Sequence, residues 1–147
     1  MMSIIEMKAP HVPQVAALEK LCFSDPWSQE SILGELNNQY AFWLVAEEDG
    51  VVLGYIGSQI SFPEADVMNV AVHPDARRHG VAAVLVEALV HYLKDVQCTS
   101  LTLEVRASNA PAIALYEKLN FSLVGRRPNY YRHPTEDALI MRKEWEV

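Results

Sequence analysis

The sequence predicts a single-domain α/β fold, a mixed, mostly antiparallel sheet with helices on both faces. Three observations predict it. Two runs of β-forming residues flank Asp49-Gly50, a dipeptide that favours the type I′ hairpin turn. Further along, strand-like and helix-like segments alternate, as they do when helices cover a sheet. No repeat, low-complexity stretch or linker divides the 147 residues, so residues 1–147 are expected to form one domain around one core.

The elements follow in order. A short strand at Ser3–Met7 leads to a helix over Val12–Cys22, with Val15, Leu18 and Cys22 on one face. Ser28 is placed to cap a second helix running to about Leu36, with Gln29 and Glu30 in its first turn. Ala41–Glu48 and Val51–Ser61 are the two arms of the hairpin. Pro63 breaks the pattern before a strand over Asp66–Val72, which His73-Pro74-Asp75 ends. A helix from about Gly80 to Lys94 carries Val81, Val84, Leu85, Ala88 and Tyr92 at helical spacing. Thr99–Arg106 alternates cleanly, with Leu101, Leu103 and Val105 on one face and Thr102, Glu104 and Arg106 on the other. Asn109 caps a helix to Leu119, with Pro111 tolerated in its first turn. Phe121–Arg127 and Ala138–Trp145 read as two final strands.

Composition narrows the function classes. The formal net charge of −7 argues against general nucleic-acid binding, which needs a basic footprint. No apolar run approaches the ~18 residues of a membrane span, and the N-terminus has no basic-then-apolar leader pattern. Cys22 and Cys98 lie in apolar surroundings without metal or redox spacing, so they are expected to be core thiols of a cytoplasmic protein. The five histidines are scattered, and no His/Cys/Asp cluster has metal-ligand spacing; the chemistry is expected to need no metal.

The most informative stretch runs from Val70-Ala71-Val72 through His73-Pro74-Asp75-Ala76-Arg77-Arg78-His79 to Gly80-Val81-Ala82. A strand passes through a basic loop into a helix whose first turn holds small residues. Helix starts leave about four backbone N–H groups unpaired and carry partial positive charge. A pyrophosphate can settle there when the backbone is uncovered, as Gly80 and Ala82 allow. Arg77, Arg78 and His79 add charge at the rim. Taken alone, the pattern fits an ordinary helix start equally well. It contains neither a nucleoside-triphosphatase loop nor a dinucleotide fingerprint.

Other segments decide the reading. Arg77-x-x-Gly80-x-Ala82 occurs together with Leu103-Glu104-Val105-Arg106-Ala107-Ser108-Asn109 and Ala114-Leu115-Tyr116-Glu117-Lys118-Leu119-Asn120-Phe121. These resemble the GCN5-related N-acetyltransferase superfamily, the first segment matching its coenzyme A loop. The later two, with Arg127-Pro128-Asn129-Tyr130-Tyr131 and Glu136-Asp137-Ala138-Leu139-Ile140-Met141, resemble its RimI-type branch of ribosomal-protein-alanine N-acetyltransferases. The resemblance runs in order from about residue 24 onward. Two departures are visible. Asn120 stands where a glycine is usual after the tyrosine helix, and Asn is the next-best residue for a left-handed helix end. Ala82 replaces the second loop glycine.

The resemblance implies acetyl-CoA as co-substrate, with its pantetheine arm inserted between two splayed strands. It assigns coenzyme contacts to Val70, Ala71, Val72, Arg77, Arg78, His79, Gly80, Val81, Ala82, Ala83, Asn109 and Tyr116. It also implies Glu104 as general base and Tyr116 as general acid. The chemistry agrees: an α-amine with a pKa of about 7.7–8.0 must lose a proton to attack, and the departing thiolate gains from a donor. From pattern alone Glu104 reads as a solvated strand carboxylate or a partner of Arg106, and Tyr116 as a packed aromatic. Without a Ser or Cys nucleophile motif, direct attack by the amine is the simpler route. The implied acceptor is a protein N-terminus, the N-terminal alanine of a small-subunit ribosomal protein, with no nucleic acid or membrane partner. Arg127, Tyr130 and Tyr131 are candidates to line the acceptor side, and Glu35, Glu136 or Asp137 to form an acidic edge for a basic peptide. Two other readings stay open: a small-molecule amine acetyltransferase on the same fold, and a catalytically silent coenzyme A-binding partner protein.

Overall fold

The computed structural model describes residues 1–146. Strands β1 (Ser3–Glu6), β2 (Ala41–Glu48), β3 (Val51–Ser61) and β4 (Glu64–Val72) lie side by side, each antiparallel to the next. Asp49 and Gly50 both have positive φ, 52° and 80°, as the type I′ turn joining β2 to β3 requires. The sheet continues with β5 (Ser100–Arg106), β6 (Ser122–Tyr131) and β7 (Glu136–Glu144) in the order β1-β2-β3-β4-β5-β7-β6. Only β4 and β5 run parallel, because the chain must cross back through a helix between them.

Helices α1 (Val12–Cys22) and α2 (Gln29–Glu35) cover one face; α3 (Val81–Asp95) and α4 (Ala110–Lys118) cover the other. The two faces give two apolar layers. Leu85, Leu89 and Leu93 of α3 pack with Ile56, Leu101, Leu103 and Met141. Val15, Leu18 and Ile32 pack with Trp43, Val45 and Tyr55 on the opposite side. The alternation in β5 holds: Leu101, Leu103 and Val105 are buried in the first layer, while Thr102, Glu104 and Arg106 stand on the other face, half-buried. Ser28 caps α2 by accepting from the Ser31 N–H at 3.1 Å.

Some boundaries differ from the sequence expectation. Strand β4 begins at Glu64, since Ser61 pairs directly with Glu64 and the strand resumes at once after Pro63. Strand β6 runs past Pro128 to Tyr131; it is an edge strand, where proline's missing N–H leaves no ladder bond unmade. The first strand ends at Glu6 and the last at Glu144, and Phe121 is a core residue before β6 begins. The buried stripe of α3 is Val81, Leu85, Val86, Leu89, Val90 and Leu93; Val84, placed on that stripe from spacing, is 39% exposed. Cys98 is a core thiol, but Cys22 is only half-buried, at the end of α1.

Candidate active site

The central feature of the sheet is a wedge. β4 and β5 are paired only at Glu64–Ser100, Ala65–Leu101 and Asp66–Thr102; beyond Asp66 they part. The ladder on the other side of β4 shows which backbone groups face the gap. His73 N–H donates to the Leu53 carbonyl at 2.7 Å, and Tyr55 lies opposite Ala71. Hydrogen-bonded pairs alternate along an antiparallel ladder, so the N–H groups of Val70 and Val72 point away from β3, toward the gap. Their side chains pack toward α3 and α4, whereas Ala71 belongs to the opposite apolar layer. A bulge at Met68, where Gly57 pairs with Asn69 and Ser58 with Val67, kinks β4 at the head of the wedge.

Behind the bulge lies a polar network. Glu19 of α1 is fully buried and accepts hydrogen bonds from the Tyr55 hydroxyl, from Asn69 Nδ2 at 2.6 Å and from the Trp27 N–H at 2.8 Å. Burial pushes its carboxyl above the usual range, and the three donors oppose that. The network ties α1, the segment before α2, and the bulged strand together. The sequence reading did not single out Glu19; the visible signal is a carboxylate within the apolar run of α1.

The loop after β4 brings the chain to the start of α3. Arg78 and Gly80 have positive φ, 71° and 75°, and Gly80 is the N-cap with no side-chain cap. The first α-helical bond runs from Val84 N–H to the Gly80 carbonyl, so the N–H groups of Val81, Ala82 and Ala83 have no intrahelical acceptor. A Cβ on Gly80 would meet no protein atom within 4 Å, so glycine serves the left-handed backbone and leaves the amides uncovered. Arg78 and His79 are exposed. Arg77 is tied back: Nε donates to the Val72 carbonyl at 3.3 Å and Nη2 lies 3.6 Å from Cys22 Sγ.

On the far side of the wedge, Asn109 Oδ1 caps α4 by accepting from the Ala112 N–H at 3.3 Å. The end of α4 is a Schellman turn. Phe121 N–H donates to the Tyr116 carbonyl and Asn120 N–H to Glu117, with Asn120 left-handed at φ 73°. The apolar contact of that motif is Tyr116 edge-on to Phe121, ring centroids 5.7 Å apart. Asn120 thus does the work of the usual glycine and locks the Tyr116 ring. Tyr116 is 6% exposed, its hydroxyl makes no protein hydrogen bond among the described residues, and burial pushes its pKa up to about 12.

Glu104 stands on β5 beyond the fork, on the face opposite α3 and α4. Its partner is Arg127, with Nε 2.6 Å from Oε2, and the Tyr130 hydroxyl lies 3.4 Å from Oε1. The arginine N–H is not aimed at Oε2, so that buried oxygen has a charge beside it but no hydrogen-bond donor. Arg106 does not pair with Glu104. It donates to the Arg132 and Pro134 carbonyls and to Glu136, and lies 4.6 Å from the Tyr131 ring centroid. Tyr131 packs edge-on against Tyr130, and burial, then Glu104, raise its pKa. Arg127, Tyr130 and Tyr131 are therefore gathered beside Glu104.

The acidic residues named for a peptide edge are occupied internally. Glu136 accepts from the Ser108 N–H and Arg106, and Asp137 from the Asn129 N–H and Arg126; these partners lower both pKa values. Glu35 takes the Trp43 indole N–H and Asn38. Among the described residues no group of three or more His, Cys, Asp or Glu could hold a metal, and no helix is long and apolar enough to cross a membrane.

Known proteins match this arrangement. Residues 12–121 match the Acetyltransferase (GNAT) family. The ribosomal protein bS18-alanine N-acetyltransferase of Escherichia coli is 35% identical over 145 residues, covering 96% of each chain. An N-alpha-acetyltransferase of Saccharolobus solfataricus is 32% identical, covering 90% of this chain and 86% of the relative. The crystal structure of the Escherichia coli ribosomal-protein-alanine enzyme superposes with TM-score 0.92 at 32% identity, covering 100% of this chain and 96% of that one. A fork in the sheet, an uncapped helix start beside it and kinship along almost the whole chain lead to one assignment: the chain belongs to the GNAT family, in its RimI-type branch, and is an acetyl-CoA-dependent N-acetyltransferase.

Proposed function

We propose that this chain is a protein Nα-acetyltransferase whose acceptor is the N-terminal alanine of a small-subunit ribosomal protein. The observation that carries the reading is the wedge, with backbone N–H groups of β4 facing it on one side and Glu104 with its tyrosines on the other. The Escherichia coli relative, by name, acts on ribosomal protein bS18 alanine, which supports the same acceptor here. A ribosomal acceptor would place the reaction in the cytoplasm.

The residues present fit acetyl-CoA. Val70 and Val72 offer backbone N–H groups to an extended arm, and Val81, Ala82 and Ala83 offer free amides to a pyrophosphate. Arg78 and His79 are exposed beside those amides; Arg77 shapes the loop from the Val72 carbonyl. Asn109 spends its oxygen on the helix cap and keeps its NH2 for a ligand. Acetyl-CoA brings the activated acyl group, and the protein does the rest. Glu104 takes a proton from the acceptor ammonium, directly or through a water. Tyr116 directs its hydroxyl at the departing sulfur. Arg127 holds the Glu104 carboxylate in place, and Tyr130 and Tyr131 flank the incoming chain.

Steady-state transfer to a basic peptide beginning with Ala, with its N-blocked copy as control, tests the assignment. Acetylation of the free peptide alone is the expected result. Turnover of polyamines or aminoglycosides without the peptide would replace it with the small-amine reading.

The coenzyme side makes its own prediction. Gly80→Val places a branched side chain at positive φ and over the free amides. The KM for acetyl-CoA should rise about tenfold, the loss of one hydrogen bond to a charged group, with the KM for peptide unchanged. An unaltered coenzyme KM would remove the pyrophosphate from this turn.

A further inference from the structure

The buried carboxylate of Glu19 takes no part in the mechanism above, yet two of its three partners border the site. Glu19 lies beside Val15, Ala16 and Leu18 of α1 in the core and is fully buried. Oε2 accepts from the Tyr55 hydroxyl of β3 and from Asn69 Nδ2 of β4; Oε1 accepts from the Trp27 N–H. All three donors are neutral, and no arginine or lysine pairs with the carboxylate among the described residues. Burying an unpaired charge is costly, and a leucine would fill the same place in the apolar stripe. The carboxylate adds what leucine lacks: two oxygens that accept from several directions and donate nothing.

The three ties are not equivalent. Tyr55 and Asn69 stand on strands that the sheet already holds, Tyr55 opposite Val45 and Ala71, Asn69 opposite Gly57. Trp27 lies in the connection from α1 to α2, residues 23–28, which belongs to no helix or strand. From Ser24 to Ser28 the Trp27 N–H is the one backbone donor with a partner among the described residues. Phe23 and Trp27 pack on the apolar layer beneath α1, on the face of the sheet where Glu104 stands. The connection also meets the β6–β7 hairpin. Ser24 Oγ donates to the Arg132 carbonyl at 3.3 Å, the carbonyl that also takes Arg106 Nη2. Asp25 lies 4.0 Å from His133. Arg132 follows directly on Tyr130 and Tyr131. The connection thus borders the side of the sheet that holds Glu104 and the two tyrosines, and Glu19 is its backbone anchor.

We propose that Glu19 is a positioning residue for acetyl transfer, fixing the 23–28 connection to β4 so that the acceptor amine is held in reach of Glu104. This deepens the acceptor assignment and rests on the acceptor entering beside Glu104. Glu19 touches no substrate and moves no proton; it sets the distance between the connection and the bulged strand. Without the carboxylate, β4 stays on its ladder with β3 and keeps its N–H groups toward the gap. The connection loses its backbone tie, and the acceptor loses a wall.

Two measurements on the full chain test it. In the wild type, amide hydrogen exchange followed by NMR should find the Trp27 N–H protected while its neighbours in the connection exchange freely. An unprotected Trp27 amide overturns the proposal without any variant. In the second, Glu19→Leu keeps the position filled and should lower kcat/KM for the acceptor amine about tenfold or more, as a misplaced substrate does. The KM for acetyl-CoA should stay as in the wild type. Glu19→Gln should restore most of the loss. Its Oε1 serves the Trp27 N–H, while its amide donates to a turned Tyr55 hydroxyl and a flipped Asn69. Tyr55→Phe is the stability control: it takes a donor from the same carboxylate and should lower the thermal midpoint with wild-type kinetics. If Tyr55→Phe loses acceptor kcat/KM in step with its midpoint, or Glu19→Leu raises the coenzyme KM equally, Glu19 is a packing residue only. If Gln is as damaging as Leu, the charge itself acts and the positioning role falls. The amine is whichever one the wild type acetylates. A wild type inactive on Ala peptides but active on another amine therefore refutes the ribosomal acceptor and leaves Glu19 testable.

Discussion

Replacing Glu104 by Gln is expected to lower kcat/KM for an N-terminal amine by about 10²–10³ near pH 7, the usual range for losing a general base. Gln keeps the shape and the contact with Tyr130 but accepts no proton. The loss should shrink as pH rises above the amine's own pKa of about 7.7–8.0, where the acceptor arrives already neutral. Binding of acetyl-CoA should not change, because Glu104 faces away from α3 and the loop that precedes it. A deficit independent of pH between 6 and 9 would mean that Glu104 positions the acceptor without taking its proton. The Arg127 contact sharpens the test. Gln removes the charge that holds Arg127, so part of the loss should appear as a weaker KM for peptide.

Tyr116→Phe should lower kcat about 10²-fold with little effect on either KM, since a donor to the departing sulfur acts late in the reaction. The fold should be indifferent, because the ring packs on Phe121 and its hydroxyl has no hydrogen-bond partner among the described residues. Burial pushes the phenol up to about 12, so Tyr116 holds its proton throughout the working range. A thiol near 8.5 is the stronger acid of the two, so the phenol serves first as a hydrogen-bond donor to the sulfur. No falling limb below about pH 11 should therefore be traceable to Tyr116, whose protonated form persists below its pKa. An alkaline limb near pH 9 that vanishes in Tyr116→Phe would contradict this.

Much of the fold was legible because its signals are local. Asp49-Gly50 specifies a turn by backbone conformation alone, and the alternation of Leu101, Leu103 and Val105 specifies a strand with one buried face. Asn120 was readable as a left-handed helix end, and the Schellman bonds confirm that geometry. The misplaced features depend on neighbours. Val84 fits helical spacing as well as Leu85 does, and only the direction in which the sheet lies exposes it. Pro128 looks like the end of a strand until β6 is known to be at the sheet edge.

The site divides in the same way. Gly80 and Asn109 are marked in the chain as helix starts, and Glu104 and Tyr116 only through the resemblance of the segments around them. The pairing of Glu104 with Arg127 in place of Arg106 was not readable, since 23 residues of chain separate the partners that are brought together by β7 lying between β5 and β6. Glu136 and Asp137 look free in sequence, yet the β6–β7 hairpin supplies partners for both. Glu19 is a single carboxylate in an ordinary run, without a motif around it.

The sequence by itself determined the element order, the hairpin and the glycine-opened start of α3; Glu104 and Tyr116 stood out only through resemblance. Backbone conformation and periodicity act over a few residues and survive in a linear text. The tertiary structure alone decided where β4 and β5 part, which amides face the gap, and which charges meet at its head. Those depend on strand register and on the bulge at Met68, where one extra residue re-aims everything beyond it.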